Sequence, residues 1–253
     1  MDFELSLGPP PDKEAFFFSA VGTLIHYNPN EEMVLVEVLK EKGIDITVHV
    51  AKVAYLIADH AAPSKYYTVR SKDERDSYWK NYSSELVKNC KIEDPDGKVA
   101  EVVSGRLRSP RIWAAFYDAK QTLESLKKQG CLVGVIANAE SIVEEALEHA
   151  GLSQWIDTVT TSEEAGVEKP DPAIFRRALD KSDLEPKRCV HVGDVPEIDV
   201  LGARNAGITP VWLDRNRLAR RIGEIQKIET ITEVEFMFPI VPHEIRSIVK
   251  DST

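Results

Sequence analysis

Short, uninterrupted apolar runs separated by helical stretches recur along most of the chain. The first run, residues 15–18 (AFFF), has no polar alternation and stops before Ser19 and Gly22, which is typical of a strand buried on both faces. Four more runs predict strands at residues 131–136, 155–159, 189–192 and 209–213. Stretches with helical spacing lie between or before them, at residues 117–130, 141–150, 172–179 and 198–206. Strands that alternate with helices in this way predict βαβ units and a parallel sheet.

A long segment after the first strand breaks this alternation. It carries helical patterns at residues 32–42, 48–60, 72–89 and 99–107. The third pattern includes Tyr78, Trp79 and Tyr82, which we expect to pack inside the helical segment. We therefore predict that residues 1–27 and 114–253 form an α/β core and that residues 28–113 form an inserted helical cap.

Candidate functional residues stand where predicted strands end. Right-handed crossovers place the carboxyl ends of parallel strands at one edge of a sheet, where ligands bind in such folds. Ser19, Ala137 with Asn138, and Asp194 each follow or end such a strand. We therefore expect them to lie together.

Composition narrows the classes of partner. The formal net charge is -10, which disfavours nucleic acid and anionic membrane surfaces because both require clustered Lys and Arg. No apolar stretch approaches the roughly 20 residues of a membrane-spanning helix, and the acidic, proline-broken N-terminus does not resemble a signal peptide. Cys90, Cys131 and Cys189 lack metal-ligand spacing and predict buried free thiols. These features favour a cytoplasmic protein.

Four segments, in chain order, resemble the motifs of the haloacid dehalogenase superfamily. Its opening D-x-D-G-T-L, preceded by a hydrophobic strand, falls on residues 16–24 (FFFSAVGTL). Its second motif, a strand ending in Ser or Thr, falls on residues 135–138 (VIAN). The third motif, K-P-D-P-x-I-F, matches residues 169–175 in full, and the fourth, G-D-x4-D, matches residues 193–199. The resemblance implies an α/β fold with a Rossmann-like parallel sheet core flanked by helices. The insertion is similar to the helical cap of the dehalogenase and phosphoglycolate phosphatase branch.

The resemblance also implies a role for each matching position. In active relatives the first aspartate attacks the substrate and helps to bind Mg²⁺, and the second aspartate transfers protons. By this resemblance Lys169 is the candidate anion clamp, and Asp194 and Asp199 are candidate Mg²⁺ ligands or partners for Lys169. Val21 supplies a backbone carbonyl to the metal, and Asn138 is a candidate hydrogen-bond donor. No organic cofactor is implied.

Three positions depart from the family pattern. Ser19 replaces the nucleophilic aspartate, Val21 replaces the acid/base aspartate, and Ala137 lacks the second-motif hydroxyl. A neutral hydroxyl is a weak Mg²⁺ ligand and a poor nucleophile without an adjacent base. In other systems the loss of an activated nucleophile lowers the rate by about 10⁶-fold. The aspartyl route is therefore closed, and we expect any Mg²⁺ to bind weakly.

Two functional hypotheses follow. In the first, the chain is a catalytically impaired, capped protein that binds a small phosphorylated molecule or a protein partner. In the second, it is a Mg²⁺-dependent hydrolase, phosphatase-like or dehalogenase-like, with Ser19 either an unusual natural variant or an engineered inactivation. A serine nucleophile would need a base within about 3 Å, and Lys169 and Asp194 are the candidates. Substrate identity and oligomeric state stay open.

Two structural roles compete with these functional ones. Lys169 and Asp194 can persist as a buried ion pair, because removing one partner strands the other charge. Asp199 can instead favour the first turn of a helix through the helix dipole. The basic run Arg215, Arg217, Arg220 and Arg221 is expected to be a solvated helix face.

Overall fold

The computed structural model describes residues 12–61, 71–217 and 225–243. The chain divides into two compact units, with breaks after Ile25, Ala114, Glu140 and Ala150. The sheet unit contains the chain up to Ile25, residues 115–140 and the chain from residue 151 onward. The helical unit contains residues 26–114 and 141–150. The sequence-based division assigned residues 141–150 to the α/β core, whereas the contacts group them with the helical unit.

Strands alternate with helices through the sheet unit, as the apolar runs predict. The described strands are β1 (Ala15–Phe18), β2 (Ile25–Tyr27), β3 (Trp113–Ala115), β4 (Leu132–Ala137), β5 (Thr158–Thr161), β6 (Cys189–Gly193), β7 (Thr209–Leu213) and β8 (Gln226–Ile228). Six of them form one sheet in the order β5-β4-β1-β6-β7-β8, and every pair in it is parallel. The α/β, Rossmann-like prediction is therefore confirmed. β2 and β3 form a separate ribbon where the chain passes from one unit to the other and back.

Helices occur close to the positions that the periodicity predicts. They are α1 (Glu31–Glu41), α2 (Val48–Ala61), α3 (Lys72–Asn89), α4 (Lys98–Leu107), α5 (Ala119–Lys128), α6 (Ile142–His149), α7 (Ser162–Ala165), α8 (Pro172–Lys181) and α9 (Leu201–Asn205). Within the described ranges, no helix is long and apolar enough to span a membrane.

Three sequence-based assignments were wrong in detail. The strand predicted at 155–159 begins only at Thr158, because Ser153–Trp155 forms a 3₁₀ turn. The helix predicted at 198–206 is a π-helical turn, Pro196–Val200, followed by the short α9. The weakly patterned sequence after residue 213 also suggests a strand near residues 236–238 and a last helix near residues 244–250. No strand is present at 236–238, and Ile231–Phe236 forms a 3₁₀ helix instead. Residues 244–250 lie outside the described ones.

The sheet is buried on both faces around β1. Phe16, Phe17 and Phe18 are all fully buried. Phe17 packs so closely on β4 that a Cβ added at Gly134 would lie 2.5 Å from its ring, so this position has no room for a side chain. The three cysteines are buried free thiols, as predicted.

The helical unit has its own hydrophobic core. Asn30 caps α1 by accepting from the Met33 backbone N–H, and Ser71 and Glu74 form a capping box that starts α3. Trp79 is buried in this core, and Tyr78 and Tyr82 pack against it, as the aromatic pattern predicted. That this unit serves as a cap remains a prediction.

We expect Leu39→Ala, in the core of the helical unit, to lower the free energy of unfolding by about 2–5 kcal/mol, because it leaves a cavity. Leu39 is fully buried, whereas Leu56 is 71% exposed, so Leu56→Ala is the matched control. It should change stability by less than about 0.5 kcal/mol. Urea unfolding followed by circular dichroism measures both, and equal losses would contradict this assignment of the core.

Candidate functional site

The carboxyl ends of β4, β1 and β6 bring the motif residues together. These strands are adjacent in the sheet, and Ser19, Asn138 and Asp194 directly follow them. The Ser19 backbone N–H donates to the Val192 carbonyl at 2.9 Å, which holds the end of β1 against β6. All these residues belong to the sheet unit.

Lys169 is the buried centre of this cluster. Its Nζ lies 2.9 Å from Ser19 Oγ, 2.8 Å from the Ile136 carbonyl oxygen and 2.7 Å from Asp199 Oδ1. An ammonium has three protons, and these three acceptors can take all of them. The side chain is only 2% exposed. Its three donors are therefore directed at acceptors of the protein itself, and the anion-clamp role that the resemblance implies stays a prediction.

Asp199 is the carboxylate that neutralises Lys169. Its Oδ1 also lies 3.1 Å from His191 Nε2, and its Oδ2 accepts from the Val195 backbone N–H at 3.1 Å. Burial by itself would raise the pKa of Asp199, but the Lys169 ammonium and then the His191 hydrogen bond hold that pKa well below its usual range. Both carboxylate oxygens are thus occupied.

His191 is fully buried, and burial lowers its pKa. A neutral imidazole that faces a carboxylate donates from Nε2, so the hydrogen-bond network assigns this tautomer. The backbone also makes room for the pair, because a Cβ at Gly193 would lie 2.1 Å from Asp199 Cγ.

Of the two partners that the sequence offered for Lys169, Asp194 and Asp199, the structure bears out Asp199, and the alternative ion pair with Asp194 was wrong. The ion pair joins Lys169 to Asp199. Asp199 is not a solvent-facing residue of a first α-helical turn; it is buried within the π-helical turn Pro196–Val200.

Asp194 lies against the loop that follows β1. Its Oδ1 accepts from Thr23 Oγ1 at 3.0 Å, and its backbone carbonyl accepts from Trp212 Nε1 at 3.3 Å. Gly22 has φ +81°, and a Cβ there would lie 2.2 Å from Asp194 Oδ2. Burial, and then the neighbouring Asp199 charge, raise the pKa of Asp194 to about 6.

Asn138 positions Lys169. Its Oδ1 accepts from the Lys169 backbone N–H at 2.7 Å, and its Nδ2 donates to the Lys169 carbonyl at 2.9 Å. The amide that the sequence offered as a ligand donor is therefore bonded to backbone. Ala137 is buried and Val21 is 46% exposed; neither side chain can donate or accept a proton.

Arg215 was missed as a structural residue of this region. Its guanidinium makes a two-pronged ion pair with the buried Asp118, at 2.9 Å on each side, and donates to the Thr23 carbonyl at 2.8 Å. The expected solvated face is therefore wrong at Arg215, although Arg217 is exposed. Arg220 and Arg221 lie outside the described residues. Asp118 and Arg215 are 97 positions apart in the chain, and no local pattern would have predicted this contact.

These residues do not fit a firm Mg²⁺ site. Hard divalent cations prefer several oxygen ligands and carboxylates above all. Ser19 contributes no charge, both oxygens of Asp199 are engaged, and only Asp194 remains, with a pKa of about 6. Throughout the described ranges, no group of three or more His, Cys, Asp or Glu side chains could hold a metal ion.

The sheet order and the strand-end residues define an α/β protein of a Rossmann-like hydrolase class. Residues 13–207 match the family model of haloacid dehalogenase-like hydrolases. The chain therefore belongs to the haloacid dehalogenase-like hydrolase family.

Curated relatives include haloacid dehalogenase-like hydrolase domain-containing protein 3. The mouse protein is 33% identical over 167 residues, which are 65% of this chain and 66% of that protein. The bovine protein is 38% identical over 110 residues, 44% of each chain. A phosphoserine phosphatase of Thermus thermophilus is 32% identical over 141 residues, 54% of this chain and 57% of that enzyme. The chain thus spans between 44% and 66% of the length of these relatives.

Solved structures support the fold. The crystal structure of YfnB from Bacillus subtilis, a HAD-hydrolase described as bound to magnesium, has a TM-score of 0.73 at 17% identity. The match covers 90% of this chain and 99% of that one. At this identity the likeness shows the fold alone.

We expect Lys169→Met to lower the free energy of unfolding by about 3–5 kcal/mol at neutral pH, because Asp199 would keep a buried charge without its partner. The depressed pKa of Asp199 stabilises the folded state above the carboxyl's ordinary pKa, and this contribution disappears as pH falls through the folded-state value. The difference between the variant and the parent chain should therefore narrow in acid. Urea unfolding at several pH values measures it.

Lys128→Met is the matched control for this prediction. Lys128 pairs with Glu124 on the surface, and its side chain is 73% exposed, so its loss should cost less than about 1 kcal/mol. Equal losses in the two variants would contradict the buried ion pair.

Proposed function

We propose that this chain is a haloacid dehalogenase-like protein with impaired hydrolytic chemistry that acts as a binding or regulatory module. One observation supports this most strongly. At the nucleophile position stands the Ser19 hydroxyl, 2.9 Å from a lysine that is itself paired with Asp199.

The environment of Ser19 explains why it is a poor nucleophile. A serine hydroxyl attacks efficiently only when an adjacent base takes its proton. Lys169 is ion-paired with Asp199, and an ammonium has no lone pair with which to accept a proton. The neighbouring Val21 and Ala137 side chains cannot transfer protons either.

The net charge of the strand-end cluster indicates which class of ligand would bind there. Lys169 and Asp199 cancel one another, His191 is neutral, and Asp194 carries a negative charge above a pKa of about 6. A phosphate group would thus meet no net positive charge among these residues. This favours a protein partner over a small phosphorylated molecule, which remains the second ligand class.

The alternative function is hydrolysis with Ser19 as the nucleophile, and the short distance between Ser19 and Lys169 favours it. Lys169 Nζ lies 2.9 Å from Ser19 Oγ, within the reach of about 3 Å that a general base requires. A neutral lysine could accept the serine proton while donating to Ile136 and Asp199. The name of one relative supports a hydrolase of the phosphatase kind. It is the glyceraldehyde 3-phosphate phosphatase of Methanothermobacter thermautotrophicus, which is 40% identical over 113 residues (44% of this chain, 50% of that enzyme).

We also propose that the helical unit acts as a cap that selects the ligand and that the protein works in the cytoplasm. The cap assignment rests on the insertion of α1 to α4 between β2 and β3. The cytoplasmic assignment rests on three buried free thiols, which persist in reducing compartments.

Hydrolysis of p-nitrophenyl phosphate with Mg²⁺ tests the impaired chemistry. We expect the unmodified chain to match a Ser19→Ala control, because the loss of an activated nucleophile costs about 10⁶-fold in rate. Ser19→Asp should gain metal-dependent turnover if the missing carboxylate is the main deficit. If it stays inactive, Ser19→Asp combined with Val21→Asp and Ala137→Ser should gain it. Metal-dependent turnover by the unmodified chain that disappears in Ser19→Ala would refute the proposal.

A fluorophosphonate probe tests the serine-based alternative without a known substrate. An activated Ser19 would attack phosphorus, expel fluoride and keep the phosphonyl group on its oxygen. We expect no labelled peptide containing Ser19 by mass spectrometry, because Lys169 is paired with Asp199. Labelling that is lost in Ser19→Ala and in Lys169→Arg would establish the serine nucleophile.

A further inference from the structure

A cluster of acidic and tyrosine side chains lies within the helical unit and shares no residue with the strand-end site. Glu31 begins α1 and Asp59 lies in the last turn of α2. Tyr55 precedes Asp59 by four residues, so both lie on the same face of α2. α3 contributes Tyr82, whose hydroxyl donates to Asp59 Oδ1 at 2.5 Å.

Among the described residues, the acidic side chains of this cluster have no ion pair with Lys or Arg, since neither Glu31 nor Asp59 forms one there. Burial first, then Asp59 and Glu32, raise the pKa of Glu31 to about 7. The carboxylates therefore repel one another at neutral pH, and a bound cation would relieve this repulsion.

Tyr55 gives an independent sign of a missing ligand. Its side chain is buried, and its hydroxyl has no hydrogen-bond partner among the described residues. After burial, the groups that raise the pKa of Tyr55 are Glu31, Tyr27, Asp59 and Glu32, so the hydroxyl lies within electrostatic range of the acidic cluster. Buried polar atoms in native proteins are almost always hydrogen-bonded, and an exception calls for an explanation.

The hydrogen-bonding groups of the cluster indicate which kind of ligand would bind there. Carboxylates and a phenol oxygen can accept hydrogen bonds from the three N–H groups of an ammonium. The Tyr27 ring, stacked on Trp113 with centroids 4.1 Å apart, adds an aromatic surface of the kind that attracts organic cations. Mg²⁺ and Ca²⁺ prefer six or more oxygen ligands, and the described residues contain no group of three metal-ligating side chains.

We propose that Glu31, Asp59 and Tyr55 form a binding site for an organic ammonium group, such as a primary amine, in the helical unit. The site is distinct from the strand-end residues and does not depend on whether hydrolysis is lost. Asp59 is exposed, so solvent and ligand can reach the cluster from its side.

Butylammonium chloride is the probe, and NMR spectroscopy of the ¹⁵N-labelled full chain is the measurement. We expect saturable shifts of the amide signals of Glu31, Tyr55 and Asp59. Butanol, which has the same chain without the charge, should cause none, and neither should Mg²⁺ at equal concentration. Absence of saturation, or equal shifts with butanol, would refute the site. Saturation by Mg²⁺ instead would show a metal site and would equally overturn the proposal.

Matched variants assign the binding to these side chains. Glu31→Gln and Tyr55→Phe should each weaken butylammonium binding at least about ten-fold, the usual effect of losing a hydrogen bond to a charged group. Glu37→Gln on the exposed face of α1 and Tyr117→Phe in the sheet unit repeat the same changes elsewhere and should leave binding unchanged. Circular dichroism checks that each variant is folded. Equal affinity for the parent chain and a folded Glu31→Gln would overturn the proposal.

The pH dependence gives a second measurement that does not require a variant. The charges that act on Glu31 are Glu32 on its own helix and Asp59 on α2, and Glu31 acts in turn on Tyr55 of α2 and Tyr82 of α3; Tyr27, before α1, acts on Tyr55. Arg106 of α4 pairs with Glu41, at the opposite end of α1. Because Glu31 loses its proton near pH 7, butylammonium should bind about ten-fold more tightly at pH 8 than at pH 6. The dependence should flatten in Glu31→Gln. Tighter binding at pH 6 would contradict a carboxylate site.

Discussion

The buried ion pair between Lys169 and Asp199 is the interaction on which the strand-end cluster depends. Two charges in a low-dielectric interior are tolerated only when they are close together and fully hydrogen-bonded. Their separation of 2.7 Å and the further bonds to Ser19, Ile136, His191 and Val195 meet that requirement. Asn138 fixes the Lys169 backbone, and Gly193 leaves room for the carboxylate. In this arrangement the charge and the hydrogen bonds of Lys169 stabilise the sheet unit rather than a ligand.

Serine in place of aspartate at position 19 leaves these residues with one negative charge fewer. An aspartate at this position would be a second carboxylate beside the same ammonium, whereas the Ser19 hydroxyl is neutral and leaves Asp199 as the charged partner. The family scaffold is thus intact while the groups that carry its chemistry are altered or occupied. Fold alone does not define function, so the proposed binding role rests on Ser19 and on the pairing of Lys169 with Asp199.

The two units differ in whether their acidic side chains are paired with basic ones among the described residues. In the sheet unit, buried acids are met by bases: Asp199 by Lys169, and Asp118 by Arg215. In the helical unit, Glu31 and Asp59 lie close to one another, and the Tyr55 hydroxyl beside them has no hydrogen-bond partner among the described residues. A buried polar atom without a hydrogen-bond partner calls for an explanation, and at Tyr55 the proposed ammonium ligand supplies one.

The sequence by itself determined the parallel α/β fold, because buried strands and amphipathic helices leave periodic patterns over a few residues. The strand at residues 209–213 and the helix at residues 72–89 were predicted to the residue, and the four motifs located the strand-end cluster. β8 (QKI) was not predicted from the sequence, because two of its three residues are polar and exposed. Only the tertiary structure decided that Lys169 pairs with Asp199 rather than Asp194, that Arg215 joins Asp118, and that Tyr55 lies within electrostatic range of Glu31. These contacts join residues far apart in the chain, and such pairings depend on the path of the whole backbone rather than on any local pattern.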